Sequence, residues 1–327
     1  MNKKIFFVGN VGRGSTFIDN DYHALKEHFD VRYTQMRFRI KYVNLNFIEI
    51  LKNVLWCDTV YGWFASYRMV LPIILAKIFH KKTVVVAGGY DIANAPEINY
   101  GAFIKNPDRR ISKFVLGNAD KILTVSKYGN DELKESMPKA TSQTVYNGVD
   151  ANKWYPQGAK TDNLVITVGE VNWSNLKRKG LEDFVKAAKY LPDVRFVLIG
   201  ELKNADAAFY LDHIAPSNVM FAGKVSDEEL LIWYQMAKVY AQLSYHESFG
   251  VSVAEAMLCD CTPVLSTKGA LPEVGGKNAY YVPFGDPEFT ATVIERALKS
   301  NSGGIFRARV MLNFQLKKRI NRLREIL

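Results

Sequence analysis

The chain has 327 residues, 48% hydrophobic and 23% charged, with 22 glycines and 11 prolines. This excludes disordered, collagen-like and low-complexity chains, and at roughly 150 residues per domain it suggests two domains. The formal charge of +10 favours anionic partners, whereas three cysteines (Cys57, Cys259, Cys261) are too few for a disulfide framework and suit a reducing compartment. Cys259-x-Cys261 is also too tight for a zinc pair. Near the start, Ile5–Val8 is a run of only four apolar residues, short of the roughly 7–15 of a secretory leader. The longest apolar run, Met69–Ile78, is broken by Pro72 and Lys77, far from the roughly 20 residues of a spanning helix. A cytoplasmic protein is expected, soluble or peripheral on the cytoplasmic face of the membrane.

In chain order, Lys4–Gly9 reads as a buried strand, followed by a glycine-containing turn (Gly9–Gly14) and a helix through His28. Val31–Thr34 and Thr59–Trp63 read as strands, Tyr67–Phe79 as a helix, and Lys82–Ala87 as a strand ending in Gly88-Gly89. Lys121–Ser126 is a further strand and Asp131–Ser136 a short helix. After a polar stretch over Asn147–Asp162 the rhythm restarts. Leu164–Gly169 is a strand, Gly180–Tyr190 a helix and Val194–Gly200 a strand. Ser226 with Glu229 forms a capping box opening the helix Glu228–Met236. Val239–Leu243 and Thr262–Ser266 are strands around a helix at Val251–Leu258, and Tyr280–Val282 is the last strand. Phe289–Lys299 and Arg307–Leu327 are helices. Strands alternating with helices predict an α/β protein with parallel sheets.

The segment His246–Met257 follows a strand and opens a helix. Backbone N–H groups of Phe249, Gly250 and Val251 at that helix start form a ready anion site. Glu247 precedes the helix and Glu255 lies eight residues on, inside it. A carboxylate offers two acceptor oxygens, which suit vicinal hydroxyls of a ribose or a sugar. By spacing alone the two also fit solvated glutamates beside an ordinary buried helix.

This segment resembles the Glu-x7-Glu signature of retaining glycosyltransferases of the glycosyltransferase 4 family. Asn147–Asp150, Arg178–Gly180, Gly223–Leu230, Tyr234–Ala237, Thr262–Val264 and Leu271–Val274 resemble, in order, the segments around that signature. The resemblance covers most of residues 120–327. It implies the GT-B fold, two Rossmann-like parallel-sheet domains facing a central cleft. Residues 1–150 would form the acceptor-side domain, 151–305 the nucleotide-sugar domain, and 306–327 a helix returning to the first. It implies a retaining hexosyltransferase that moves a sugar from a UDP- or GDP-sugar to a sugar or lipid-linked acceptor, without metal and without a cofactor, the nucleotide-sugar being a substrate. Glu247 would contact donor-sugar hydroxyls, Glu255 would hold the ribose, and the Phe249, Gly250 and Val251 amides would meet the sugar and distal phosphate. Lys179 would neutralise the diphosphate, stabilising the charge that builds on the leaving oxygen. Lys224 and Val225 are further substrate-binding candidates.

Two departures stand out. Where the family commonly has an arginine after the glycine ending the first strand of the second domain, Glu170 follows Gly169. Either Lys177 or Arg178 supplies the second cation, or Lys179 acts with fewer partners. A histidine common near the Gly88–Asp91 turn is absent. Asp91 is the substitute catalytic candidate, against a plain turn-capping role. Gly12 and Gly14 are candidates for approaching the donor phosphates. As a dinucleotide fingerprint the same turn lacks a third glycine at the right spacing and an acidic ribose partner, which disfavours the alternative of a non-transferase nucleotide-binding protein with tandem Rossmann-like domains. Asp19-Asn-Asp21 mimics a metal-binding DxD but enters a helix.

Met36–Lys82 carries eight basic residues against Glu49 and Asp58, a net +6, interleaved with Phe38, Tyr42, Phe47, Trp56, Trp63, Phe64 and Tyr67. Two readings stand: core aromatics beside solvated cations, or a docking surface for anionic membrane. Nucleic acid is not expected as a partner.

Overall fold

The computed structural model describes residues 2–12, 16–35, 38–40, 43–44 and 46–327. The chain divides into two compact units, Met1–Asn147 with Leu316–Leu327, and Gly148–Gln315.

The first unit comprises β1 (Lys4–Val8), α1 (Thr16–His28), β2 (Asp30–Tyr33), β3 (Phe38–Ile40), β4 (Val43–Asn44), α2 (Phe47–Trp56), β5 (Thr59–Trp63) and α3 (Tyr67–Ile78). It continues with β6 (Lys82–Ala87), α4 (Asp108–Asn118), β7 (Lys121–Thr124), α5 (Lys127–Ser136) and β8 (Ser142–Thr144). Six strands form a parallel sheet in the order β2-β1-β5-β6-β7-β8, and β3 with β4 makes a separate antiparallel pair. The central strands are apolar without alternation because helices cover both faces of such a sheet. Phe6, Val8, Val60, Val85 and Ala87 pack with Ile50 and Val54 of α2, Met69 and Ile73 of α3, and Val115 of α4.

The second unit comprises β9 (Thr161–Val168), α6 (Trp173–Arg178), α7 (Leu181–Ala187), β10 (Arg195–Ile199), α8 (Ala205–Ile214), β11 (Val219–Gly223), α9 (Asp227–Met236) and β12 (Ala237–Gln242). Then follow α10 (Val251–Leu258), β13 (Thr262–Ser266), α11 (Leu271–Gly275), β14 (Tyr280–Val282), α12 (Pro287–Leu298) and α13 (Gly303–Asn313). Its six parallel strands run β11-β10-β9-β12-β13-β14. The expected capping box is present, Ser226 and Glu229 satisfying each other's backbone N–H groups.

The expected single helix over Arg307–Leu327 is two, α13 and α14 (Leu316–Ile326). The break follows from Phe314. Its ring packs edge-on against Phe249 at 5.4 Å and its carbonyl accepts from Val149 N–H at 2.9 Å, so its backbone leaves the helix. Only the part from Leu316 onward belongs to the first unit. There Arg319 of α14 forms a two-pronged ion pair with Asp21 of α1, at 2.6 and 2.7 Å.

Candidate functional site

In the second unit the charged candidates meet around α10. Gly250 is its N-cap, and no side chain caps that end. The first backbone N–H groups of a helix lack intrahelical acceptors and carry the positive end of its dipole, so this end suits a phosphate or a sugar oxygen. Phe249, just before it, is buried against Phe314, and Val251 is half-buried.

Glu247 stands in the loop between β12 and α10, held by backbone contacts on two sides. Its carbonyl accepts from Ala270 N–H at 2.8 Å. Gly269 packs against it so closely, at φ +63°, that a Cβ would lie 2.6 Å from the Glu247 oxygen. The same loop is tied to the turn after α6, where the Arg178 carbonyl accepts from Tyr245 N–H at 2.9 Å. Gly180, at φ +66°, allows this approach, because a Cβ there would sit 2.1 Å from the Leu243 oxygen. The two glycines therefore bring Lys179 and Glu247 into one electrostatic neighbourhood. Burial lowers the Lys179 pKa, while Glu247 foremost, and also Glu255, pull it up against the repulsion of Arg178. Among the described residues the Lys179 ammonium reaches one acceptor, the Val168 carbonyl at a long 3.4 Å.

Glu255 is buried on α10, and burial pushes its carboxyl up to about 7. Lys153 opposes this, as does the Tyr234 hydroxyl of α9, which donates to Glu255 Oε2 at 3.3 Å. Lys153 in turn pairs with Asp227 at 2.6 Å and lies over the Trp154 ring. Lys224 and Val225 form the loop before α9, the first exposed and the second half-buried.

Around Glu170 several side chains have partners of their own. Glu170 pairs with Lys203 at 3.0 Å and accepts from Asn172 at 2.8 Å. The Arg178 guanidinium folds back on Asn175 Oδ1 at 2.7 and 3.1 Å, and Lys177 is exposed. Lys179 is the member of that basic turn set among Glu247 and Glu255.

The remaining candidates belong to the first unit. Gly12 N–H donates to Asp19 Oδ1 at 2.7 Å, so the glycine turn is fastened to α1; Gly14 lies outside the described residues. Asp19 and Asp21 serve different partners: Asp21 is buried and accepts from Tyr61, Trp63 and Arg319. Among the described residues no group of three or more acidic, histidine or cysteine side chains is placed to hold a metal ion. The Asp91 carboxylate accepts three backbone bonds, from Ala65 at 2.8 Å, Gly88 at 3.1 Å and Gly89 at 2.9 Å. It staples the ends of β5 and β6, and burial pushes it up to about 6. Asp91 also lines a cavity of about 420 Å³ at the carboxyl ends of β1, β5 and β6.

The basic aromatic band divides. Trp63 is core, Trp56, Phe64 and Tyr67 are half-buried, and only Phe47 of the described aromatics in that set is exposed, at 49%. The side chains of Arg37, Phe38, Arg39, Lys41 and Tyr42 lie outside the described residues. The exposed apolar residues are instead Phe47, Ile48 and Leu55 on α2 and Ile74, Ile78 and Phe79 on or just after α3. No described helix is long and apolar enough to cross a membrane.

Residues 150–313 match the glycosyl transferases group 1 family, over half of the chain. The chain belongs to that family. An α-galactosylglucosyldiacylglycerol synthase of Streptococcus pneumoniae is 26% identical over 182 residues, 50% of this chain and 48% of that protein. A D-inositol 3-phosphate glycosyltransferase of Mycolicibacterium smegmatis is 25% identical over 246 residues, 69% of this chain and 54% of that protein. The chain thus spans about half the length of the curated relatives it matches. Among solved structures, sucrose-phosphate synthase of Thermosynechococcus elongatus superimposes with a TM-score of 0.79 at 16% identity, covering 99% of this chain and 98% of that one. Anabaena HepE in complex with UDP and glucose superimposes with a TM-score of 0.80 at 16% identity, covering 100% and 99%. These likenesses establish the GT-B fold.

Some contacts around the site escaped the sequence reading. Lys153, which opposes the burial shift of Glu255, sits in a segment with no chemical signature of its own, and Tyr234, though within a segment that resembles the family, was given no role toward Glu255. Gly269 looks like an ordinary turn residue, and Gly180 like part of a basic turn, until the backbone each one meets is known. For Tyr234, position 21 residues before Glu255 is a signal only once α9 and α10 are seen to pack.

Proposed function

We propose that the protein is a glycosyltransferase using a UDP- or GDP-sugar, that it retains the configuration of the transferred sugar, and that it needs neither metal nor cofactor. The observation that carries this reading is the grouping of Lys179, Glu247 and Glu255 at the uncapped start of α10. Loss of a nucleoside diphosphate builds negative charge on the leaving oxygen, and a partly desolvated ammonium beside aligned N–H groups stabilises it without reorganisation. In this reading, as in the family resemblance, Glu247 accepts from donor-sugar hydroxyls and Glu255 from the ribose. Retention is supported by the resemblance to the retaining family. The nucleotide choice is supported by relatives: HepE was solved with UDP, and a Xanthomonas oryzae relative is named for GDP-mannose.

The acceptor is a sugar or a lipid-linked glycan, in keeping with the glycolipid synthase among the relatives. The exposed apolar residues of α2 and α3, flanked by exposed Lys52 and Lys77, suit peripheral contact with an anionic membrane face, at about 1 kcal/mol per cation.

The test is calorimetric titration of UDP and GDP, followed by transfer assays with and without EDTA. Glu255→Ala should weaken nucleotide binding roughly 10- to 150-fold, the equivalent of about 1.5–3 kcal/mol for a lost bond to a charged group. Glu247→Ala should chiefly lower turnover. Wild-type nucleotide affinity in Glu255→Ala would remove the ribose assignment. Full loss of activity in EDTA, restored by Mg²⁺, would remove the metal-free one.

A further inference from the structure

The far end of α10 is bound to α9 through one side chain. In a parallel sheet the covering helices run antiparallel to the strands, so α9 and α10 end where β9, β12 and β13 begin. Lys160 stands there, one residue before β9. Its ammonium donates to the Tyr234 carbonyl in the last turn of α9 at 2.8 Å, to the carbonyl of Cys259, the C-cap of α10, and to Cys261 Sγ at 3.7 Å. The last carbonyls of a helix lack intrahelical donors and carry the negative end of its dipole. One cation thus serves two helix ends at once. The Cys261 thiol adds a bond to the Tyr234 carbonyl at 3.1 Å.

The two residues so tied lead to the same carboxylate. Tyr234, fully buried and braced edge-on by Trp154, donates from its hydroxyl to Glu255 Oε2 at 3.3 Å. Cys259 N–H donates to the Glu255 carbonyl at 3.2 Å, one helical turn on. α10 has eight residues, about 12 Å of helix, so Lys160 lies too far from its start to touch a diphosphate there.

We infer that Lys160 is a positioning residue of the donor site: by fastening the ends of α9 and α10 to one another it holds the Tyr234 hydroxyl on the Glu255 carboxylate. That this carboxylate meets the donor ribose rests on the transfer reading above; the holding does not. Lys153, Asp227 and Lys179 act on Glu255 through charge, which falls off slowly with distance, and burial keeps Tyr240 and Cys259 neutral beside it. The Tyr234 bond is the contact that depends on exact placement, since about 0.3 Å more separation would end it.

Carboxyl ¹³C NMR of the full chain, labelled at glutamate, tests this; the Glu255 resonance is the one that Glu255→Gln removes. In Lys160→Met the Glu255 midpoint should rise from about 7 by about one unit, the scale of one lost bond to the charged form. Tyr234→Phe should raise it as far, and the double variant no further, whereas a direct effect of the Lys160 charge would add to that of Tyr234. Lys160→Gln, whose amide still reaches a carbonyl, should shift the midpoint the same way by less, and it serves if the apolar variant fails to fold. Affinity for UDP or GDP at pH 8 should fall about 3- to 10-fold in Lys160→Met and in Tyr234→Phe, again without adding. A merely structural lysine would lower stability and leave the midpoint in place. A folded Lys160 variant with the wild-type midpoint, or shifts that add, would overturn the inference. A shifted, non-additive midpoint in a protein that binds neither UDP nor GDP would uphold it and remove the ribose reading instead.

Discussion

The two units treat buried charge in opposite ways. In the first, Asp21 and Arg319 are almost fully buried, and every strong valence is met within the protein: Tyr61, Trp63 and two Arg319 nitrogens donate to Asp21, and Arg319 also donates to the Val145 and Tyr146 carbonyls. In the second, Lys179, Glu247 and Glu255 are gathered with few protein partners. Among the described residues no hydrogen bond forms to the Glu247 carboxylate, Glu255 receives one from Tyr234, and Lys179 has a distant carbonyl. A saturated buried pair specifies where a helix docks. An unsaturated cluster at a helix start keeps bonding capacity, which the proposed function assigns to the nucleotide-sugar.

The largest expected effect breaks the saturated side. Arg319→Met leaves Asp21 buried and unpaired, which should cost about 3–5 kcal/mol of the first unit's stability. Adding Asp21→Asn should return part of that loss, because two neutral groups are cheaper to bury than one charge. Urea denaturation measures both, and UDP affinity, which the proposed function assigns to the second unit, should be unaffected. Equal stability of Arg319→Met and wild type would mean that the pair does not dock α14.

The next effect sharpens the unsaturated side through pH. Glu255 is pushed up to about 7 from 4.5 by burial, so between those values the folded protein holds more protons than the unfolded chain. Stability should therefore fall as pH rises from about 4.5 through 7 and level off above, by up to about 3 kcal/mol. Glu255→Gln should remove that slope, leaving the smaller one that Asp91 contributes with the same sign between 3.8 and about 6. Thermal melts of both proteins across pH 4–8 decide it. Parallel profiles would show that Glu255 does not carry the proton.

The smallest effect concerns the scaffold under the site. Gly180→Ala forces a Cβ against the Leu243 carbonyl at φ +66°, a strain of about 1–3 kcal/mol. Because the same turn is bonded to Tyr245, turnover should fall further than stability does. A variant of wild-type turnover would show that the Glu247 loop does not depend on this turn.

Much of the second unit was legible in the sequence because its chemistry is local. The strand before Glu247, the helix that carries Glu255 and the capping box of α9 are adjacent along the chain, and each follows from apolar runs and polar punctuation. The first unit was read less completely. α2 and α4 were not anticipated, since α4 interleaves Ile111, Val115 and Leu116 with three basic residues over eleven positions. The described members of the band at residues 36–82 alternate between strand interior, cavity wall and solvent, a sorting that composition does not encode.

The sequence by itself determined the parallel α/β architecture and the placing of Glu247 and Glu255 on either side of a helix start, because apolar periodicity and spacing act over a few residues. Only the tertiary structure decided that Asp21 is a docking partner rather than half of a metal motif, that the final helix breaks at Phe314, and that the Arg178 guanidinium bonds Asn175. Each of these depends on which distant groups compete for one side chain: Arg319 for Asp21 across 298 positions, Phe249 for Phe314, Asn175 for Arg178. Burial makes those competitions decisive, since away from water a charge or an aromatic ring settles on the partner the packing supplies.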